Sequence, residues 1–267
     1  MRSRHLLAGV VAGAWLINAR RARQRAERFA AATLETLLRA IDANDAQTGA
    51  HVRRVASYAL ILADVRGVDD GTRRLIELTA LFHDIGKIHG ALFDLVHVPR
   101  KLTRSEKEEI ATHPQRGADV LAPIANFYPA LAEAVLAHHE RWDGTGYPRR
   151  IRGTKIPLAA RVVALADTFD AVTHSRRYRH GRTANEGVEV LARGRGTQFD
   201  PALVDLAMLP PVQERLKRAH RVWSRRVEAL PDREQRETIA EPPKVRIRWQ
   251  SRSEPPARVR EQMDVAR

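Results

Sequence analysis

An all-α fold is what this sequence predicts, and three observations carry it. Apolar residues recur every three to four positions through most of the chain up to residue 210. No stretch shows the sustained apolar–polar alternation of a half-buried strand. Helix signals punctuate the periodic stretches: Thr103 stands three residues before Glu106, and Pro129 and Pro157 sit at helix starts. A length of 267 residues leaves ample core for independent stability. The absence of cysteine excludes disulfides and thiolate ligands, so any metal site must be built from His, Asp and Glu. That donor set suits Mn, Fe, Zn or Mg better than softer ions.

The elements follow in order. Residues 6–19 form an apolar run of 14 residues, flanked by Arg2 and Arg4 before and Arg20, Arg21, Arg23 and Arg25 after. A spanning helix needs about 20 residues, so a packed N-terminal helix and a short membrane tether are both open for this run. Residues 22–43, rich in Ala, Leu, Arg and Glu, form a helix. Its stripe of Phe29, Thr33, Leu34, Leu37, Leu38 and Ile41 packs on the domain or on a second copy of the chain, which makes a homodimer one expectation. Gly49 permits a turn before a helix over 50–64, with His51 in its first turn and Val52, Val55, Ala56, Ala59 and Leu62 inward. Asp69–Thr72 reads as the start of a helix carrying Leu75, Leu78, Leu81 and Phe82, and Gly86 as its terminator.

Thr103 opens a helix that reaches Thr112, His113-Pro114 breaks it, and residues 117–121 restart it. Pro129 leads Leu131, Ala134, Val135 and His138 down one helix face. Pro157 opens a core helix with Leu158, Val162, Leu165, Phe169 and Val172 on one stripe and Val163, Asp167, Asp170 and His174 on another. Two short helices, 185–191 and 201–209, precede a basic helix that runs to about residue 230. Beyond it, Pro242-Pro243 and Pro255-Pro256 among charges read as a disordered tail. The expected divisions are 1–44, 45–210 and 211–267.

The formal net charge is +14, with about +6 in residues 1–28 and about +6 in residues 211–267. The middle is therefore near neutral, and no specific nucleic-acid binding is expected of it.

Chemistry concentrates at element ends. Of eleven histidines, His51, His83, His113, His138 and His139 fall beside acids or turns, and Asp84 and Asp167 complete seven candidate ligands. A single helix-end histidine is more often a cap than a ligand. The adjacent pairs His83-Asp84 and His138-His139, both at the inner ends of apolar helices, are harder to read that way. Carboxylates on the inward stripe of Asp167 and Asp170 are costly unless paired or metal-bound. Adjacent helical imidazoles point about 100° apart and so meet one object only if it lies between them. The turn through Gly144, Gly146, Tyr147 and Pro148 follows, and its glycines admit backbone shapes closed to other residues.

These residues carry a resemblance. His83-Asp84 followed by Gly86-Lys87 resembles the signature of the HD superfamily of metal-dependent phosphohydrolases. His138-His139-Glu140-Arg141-Trp142-Asp143-Gly144 with Gly146-Tyr147-Pro148 resembles the HD-GYP subgroup, the cyclic di-GMP phosphodiesterases. The similarity spans residues 45–209 and includes Thr48–His51, His113-Pro114, Ala166–Ala171 and Gly196–Pro201. It implies an HD-domain helical bundle with two divalent metal ions, Fe or Mn. His51, His83, Asp84 and Asp167 would hold one and His113, His138 and His139 the other, with Asp84 bridging. It further implies Lys87 on the scissile phosphate, Arg176 and Arg179 on the guanylate phosphates, and Gly146, Tyr147 and Pro148 at the pocket mouth, where signalling partners also dock. Where some members place a Glu four residues before the first histidine, this chain has Gln47, a weak neutral ligand, so two cations are expected and not three. Residues 88–99 depart from the family pattern beside the pocket, which loosens the expectation for the substrate more than for the metal. His89 and His97 in that stretch read as surface or packing residues.

The expected activity is cytoplasmic hydrolysis of cyclic di-GMP to pGpG and on to GMP, with residues 6–19 as the candidate membrane contact. Hydrolysis of another cyclic nucleotide and a non-catalytic nucleotide-sensing or partner-docking module are the competing readings.

Overall fold

The structure, a computed structural model, describes the backbone of residues 2–88, 92, 95, 100–175 and 180–228. It describes the side chains of residues 18, 20–43, 45–88, 92, 95, 100–175 and 180–225. The expectations for the apolar side chains of 6–17 and 19, for His89, His97, Arg176 and Arg179, and for the proline-rich tail lie outside those residues. Among the described residues the fold is all-α, with no β-strand and one isolated bridge between Arg195 and Phe199. The helices are α1 (Arg2–Asn44), α2 (Ala46–Arg66), α3 (Asp70–Phe82), α4 (Arg104–Ile110), α5 (His113–Leu121), α6 (Leu131–Leu136), α7 (Leu158–Thr173), α8 (Ala184–Arg193), α9 (Pro201–Met208) and α10 (Pro210–Glu228). No described helix is long and apolar enough to cross a membrane.

Helix α2 is the centre of the packing, in contact with α1, α3, α7, α9 and α10. It begins earlier than its glycine suggests. Asp45 caps it by accepting from the amides of Gln47 and Thr48, so Gly49 lies inside the helix and His51 in its second turn. Glycine is needed at 49 for closeness, not for a turn: a Cβ there would meet Asp42 Oδ1 at 2.0 Å. Asp42 in turn pairs with the buried Arg53, which also donates to the Gly49 carbonyl. The stripe of α1 is inward as expected at Leu34, Leu38 and Ile41 and partly so at Thr33 and Leu37, but it begins at Ala30 and not at Phe29. Ala30, Leu34, Leu38 and Ile41 are buried, whereas Phe29 is 74% exposed, because neighbours on a helix are turned by about 100°.

Helix α3 starts as its sequence indicates, with Asp69 accepting from the Thr72 amide. Ile76, Leu78, Leu81 and Phe82 fill its core face, and Leu75 is only partly buried. Its terminator is not Gly86. The helix closes at His83, and a single 3₁₀ turn, Ile85–Ile88, follows. Gly86 serves a close approach instead: a Cβ there would meet the His113 carbonyl oxygen at 2.1 Å and the Gly117 amide nitrogen at 2.7 Å. The turn after α3 is thereby pressed onto the first turns of α5.

The Thr103–Glu106 capping box forms in both directions and starts α4, which ends at Ile110 with Ala111 as its cap. Helix α5 begins at His113 rather than at Gly117, since Pro114 in a first turn forfeits no helical hydrogen bond. Helix α6 stops at Leu136, so His138 and His139 stand in the turn beyond it and not on the helix. A second capping box, Thr183 with Glu186, opens α8. Val212 and Leu216 of α10 are buried in the same core cluster as α2 and α7.

Replacing Gly86 with alanine forces α5 away from the turn. Chemical denaturation of Gly86→Ala should show a loss of about 1–3 kcal/mol, the usual cost of overpacking; unchanged stability would contradict the close approach.

Candidate metal centre

Five segments deliver eight side chains to one place. Helix α2 brings His51, and the end of α3 brings His83, Asp84 and Lys87. The start of α5 brings His113, the turn after α6 brings His138 and His139, and α7 brings Asp167. Their ligand-type atoms fall into two groups, His51 with His83 and Asp167, and Asp84 with His113, His138 and His139, each group lying within 4.8 Å of one another. The first group holds three of the four residues expected around one ion, and Asp84, the fourth, groups with His113, His138 and His139 while also facing the first group. Its Oδ2 is 3.5 Å from His83 Nε2 and 3.8 Å from His51 Nε2, while its Oδ1 is 3.4 Å from His113 Nε2. One oxygen thus faces each group.

The tautomers follow from the partners. His83, His113 and His138 set Nδ1 against the carbonyls of Ala80, Ile110 and Val135, at 2.8, 2.7 and 2.5 Å. A carbonyl only accepts, so each Nδ1 carries the proton and each neutral ring presents a bare Nε2 lone pair. His51 does the same with a carboxylate, its Nδ1 donating to Asp170 Oδ2 at 2.7 Å. Its Nε2 faces Asp167 Oδ1 at 3.4 Å.

Electrostatics hold these forms. Burial pushes the His83 and His138 imidazoles below their ordinary range, and it pushes His139 down to about 3. All three are neutral at pH 7. His51 is the opposite case: burial disfavours its charge, but the Asp170 hydrogen bond, with Asp170, Asp167 and Asp84 nearby, raises it overall. Burial would also raise Asp84, yet Lys87, His83 and His113 hold its carboxyl well below the usual range. Lys87 Nζ lies 2.7 Å from Asp84 Oδ1.

The fit to a cation can be tested on the atoms themselves. His113 Nε2 and His138 Nε2 stand 3.1 Å apart. With both protons on Nδ1, two lone pairs face each other in a buried space, an arrangement that a shared positive ion relieves. His83 Nε2 is buried with no hydrogen-bond partner. A buried polar atom without a partner is costly, and a ligand nitrogen is expected to look this way. The donor set of neutral imidazoles and carboxylates fits divalent cations such as Mn, Fe or Zn. Gln47 is exposed in the first turn of α2, and its backbone N–H donates to Asp45 Oδ1.

The glycine-rich turn forms one wall. The Tyr147 ring stacks on His139 at 4.8 Å and 25°, and the Tyr147 amide donates to the His139 carbonyl. Gly144 adopts φ 82°, which favours glycine. Gly146 is required for closeness, since a Cβ there would meet Arg141 N at 2.4 Å and Glu140 Cα at 2.6 Å. Glu140 is buried and accepts from the amide of Arg149, just beyond Pro148, which draws the turn closed. Trp142 and Asp143 donate backbone hydrogen bonds to Gln198 and Thr197, which pins the turn to the loop before α9.

Residues 35–203 match the family model described as HD domain. The chain belongs to the HD domain family. It is 41% identical over 175 residues to the cyclic di-GMP phosphodiesterase response regulator RpfG of Xanthomonas campestris pv. campestris, a match covering 65% of this chain and 46% of that protein. It is 36% identical over 174 residues to 3'3'-cGAMP-specific phosphodiesterase 2 of Vibrio cholerae, covering 64% and 33%. Both matches thus span less than half of the relative's length. The fold resembles the crystal structure of a V. cholerae cyclic GMP-AMP specific phosphodiesterase, V-cGAP3, with TM-score 0.52 and 22% identity over 76% of this chain and 54% of that one. At that identity the likeness is one of fold.

Sequence reasoning gave no role to Arg54 and marked Asp170 only as an inward carboxylate in need of a partner. Arg54 clamps the Asp170 carboxylate from Nε at 2.7 Å and from a terminal nitrogen at 3.0 Å. The readable signal was spacing: Arg54 follows His51 by one helical turn, and Asp170 follows Asp167 by one. Arg176 and Arg179 lie outside the described residues.

Stripping cations with a chelator and restoring Mn²⁺ should raise the melting temperature by several degrees, because a ligand that binds only the folded state stabilises it. Metal analysis should find two ions per chain. Asp84→Ala should lower that number, and an unchanged value would argue against a shared carboxylate.

Proposed function

We propose that this HD domain is a metal-dependent phosphodiesterase that opens a cyclic dinucleotide, with cyclic di-GMP as substrate and pGpG as product, and with GMP formed by a second cut at the same centre. The observation that carries the reading is the Asp84 carboxylate, whose two oxygens face two separate imidazole groups. Paired sites sharing a carboxylate suit phosphodiester hydrolysis, which needs both a nucleophile and neutralisation of charge on phosphorus. The names of the relatives support the substrate class, both being cyclic dinucleotide phosphodiesterases.

When bound, two divalent cations supply a water ionised at neutral pH and positive charge opposite the phosphoryl oxygens. The chain's residues do the rest. His51, His83, Asp84 and Asp167 would hold one ion, and His113, His138 and His139, with Asp84 again, the other. The backbone carbonyls and Asp170 keep each imidazole in the tautomer that binds. Lys87 stands beside Asp84, where its ammonium contacts a non-bridging oxygen of the scissile phosphate. Such preorganised charge is effective because Asp84 and most of the imidazoles around it are buried. Arg176 and Arg179 pair with the outer phosphates through planar guanidinium forks. Gly146, Tyr147 and Pro148 shape the pocket mouth and offer a contact for signalling partners. Tyr147 keeps its proton, since burial raises its hydroxyl, and its ring shields His139 from water.

Purified protein loaded with Mn²⁺ or Fe²⁺ should hydrolyse cyclic di-GMP, and a panel including 3'3'-cGAMP and cyclic di-AMP ranks its preference. Asp84→Ala should abolish turnover, and Lys87→Ala should lower it by about 10²–10³-fold, as loss of one charge-stabilising donor does. No hydrolysis of any cyclic dinucleotide by fully loaded protein would leave the partner-docking reading in its place.

A further inference from the structure

Behind His51 lies a buried cluster of which the chemistry above uses only Asp170. The Asp170 carboxylate is 2% exposed and accepts from three side chains. Oδ2 takes His51 Nδ1 at 2.7 Å and an Arg54 nitrogen at 3.0 Å, and Oδ1 takes Arg54 Nε at 2.7 Å. The remaining partner of Oδ1 is His174 Nδ1 at 3.1 Å, from the residue that closes α7. The only other acceptor shown beside that nitrogen is Thr173 Oγ1, farther away at 3.3 Å. The Thr173 hydroxyl donates its hydrogen to the Phe169 carbonyl at 2.8 Å, so both oxygens beside the ring accept and His174 carries its proton on Nδ1. Its ring is fixed by packing from two other helices. Tyr58 of α2 lies tilted at 6.4 Å between centroids, and His220 of α10 meets it edge-on at 4.7 Å. His174 Nε2 is buried and has no hydrogen-bond partner, so the ring is held for the nitrogen that faces Asp170.

We propose that His174 is a positioning residue for the His51 side of the metal centre. Through the N–H it donates to Asp170 it stops that carboxylate from rotating, and Asp170 in turn aims and polarises His51. Partners of this outer kind commonly change metal affinity by about 10–100-fold when removed from direct contact with a ligand. His174 stands one step further out, so the lower end of that range applies. The inference rests on the two-cation reading. It also makes α10 part of the site's support, because His220 is a wall of the pocket that holds His174.

Two substitutions separate positioning from packing. His174→Phe keeps a ring against Tyr58 and His220 but has no N–H. His174→Asn gives up the ring and keeps an N–H close to the place of Nδ1. Calorimetric titration of metal-free protein with Mn²⁺ should show two sites in the unchanged chain. In His174→Phe one site should weaken by about 10-fold, with the other unaltered, and His174→Asn should bind within about threefold of the unchanged chain. Melting of the metal-free proteins should run the other way, with the Phe variant the more stable of the two. Two unweakened sites in His174→Phe would overturn the proposal and leave the metal centre standing. Equal weakening in both variants would also overturn it, since that result marks packing. An unchanged chain that binds no Mn²⁺ would overturn the metal reading and this one with it.

Discussion

A carboxylate has two oxygens, and at Asp84 the fold presents a different set of imidazoles to each. That single side chain joins two half-sites, one from α2 and α7 and the other from α5 and the turn after α6. Its burial would be prohibitive without neighbouring positive charge or a cation, and Lys87 supplies part of that charge at 2.7 Å. The position of Asp84 depends on the 3₁₀ turn that follows it. Gly86, with no side chain, lets that turn touch the backbone of His113 and Gly117. Any larger residue there would separate the half-sites by moving α5.

Three of the histidines are placed by the same local device. His83, His113 and His138 each follow the end of a helix and donate Nδ1–H to the carbonyl three residues back. The last turn of a helix has carbonyls without helical partners, so such a histidine satisfies the helix and fixes its own tautomer in one hydrogen bond. The cap and the ligand are therefore not alternatives. The bond that makes a helix-end histidine a good cap on Nδ1 also leaves its Nε2 bare and directed beyond the helix, toward the place where three helix ends meet.

This explains what could be read from the chain and what could not. Helix identity was legible because the apolar periods and caps are local, as at Thr103 with Glu106 and at Asp69 with Thr72. Most ligand candidates stood out because they stand at element ends, while His51 and Asp167 lie inside helices and were picked out with the help of the family resemblance. The roles of the glycines were misread at 49 and 86. Sequence offers positive φ as the ready reason for a glycine, whereas both positions are governed by an approach from a distant segment. Phe29 was misplaced for a related reason. On a helix rich in alanine, the small Ala30 and Ala31 define the buried face, and a hydrophobicity count favours the larger neighbour. Arg54 was missed because its partner, Asp170, lies 116 residues away.

His51 differs from the other imidazoles, and the difference is structural. It lies in the second turn of α2, where the backbone carbonyls are taken by the helix itself, so no free carbonyl can receive its Nδ1–H. A side-chain acceptor has to come from elsewhere, and Asp170 of α7 supplies it. A carboxylate is a stronger acceptor than a carbonyl, and it makes the imidazole a more basic ligand. It also adds a buried charge that Arg54 and His174 then have to steady. The two half-sites are thus supported by unlike means, one by helix-end carbonyls that are fixed as soon as the helices form, the other by a network that closes only when α2 and α7 pack. The first is local and robust to changes elsewhere. The second depends on the tertiary fold, and it is the half of the centre that substitutions in α7 and α10 can reach without touching a ligand.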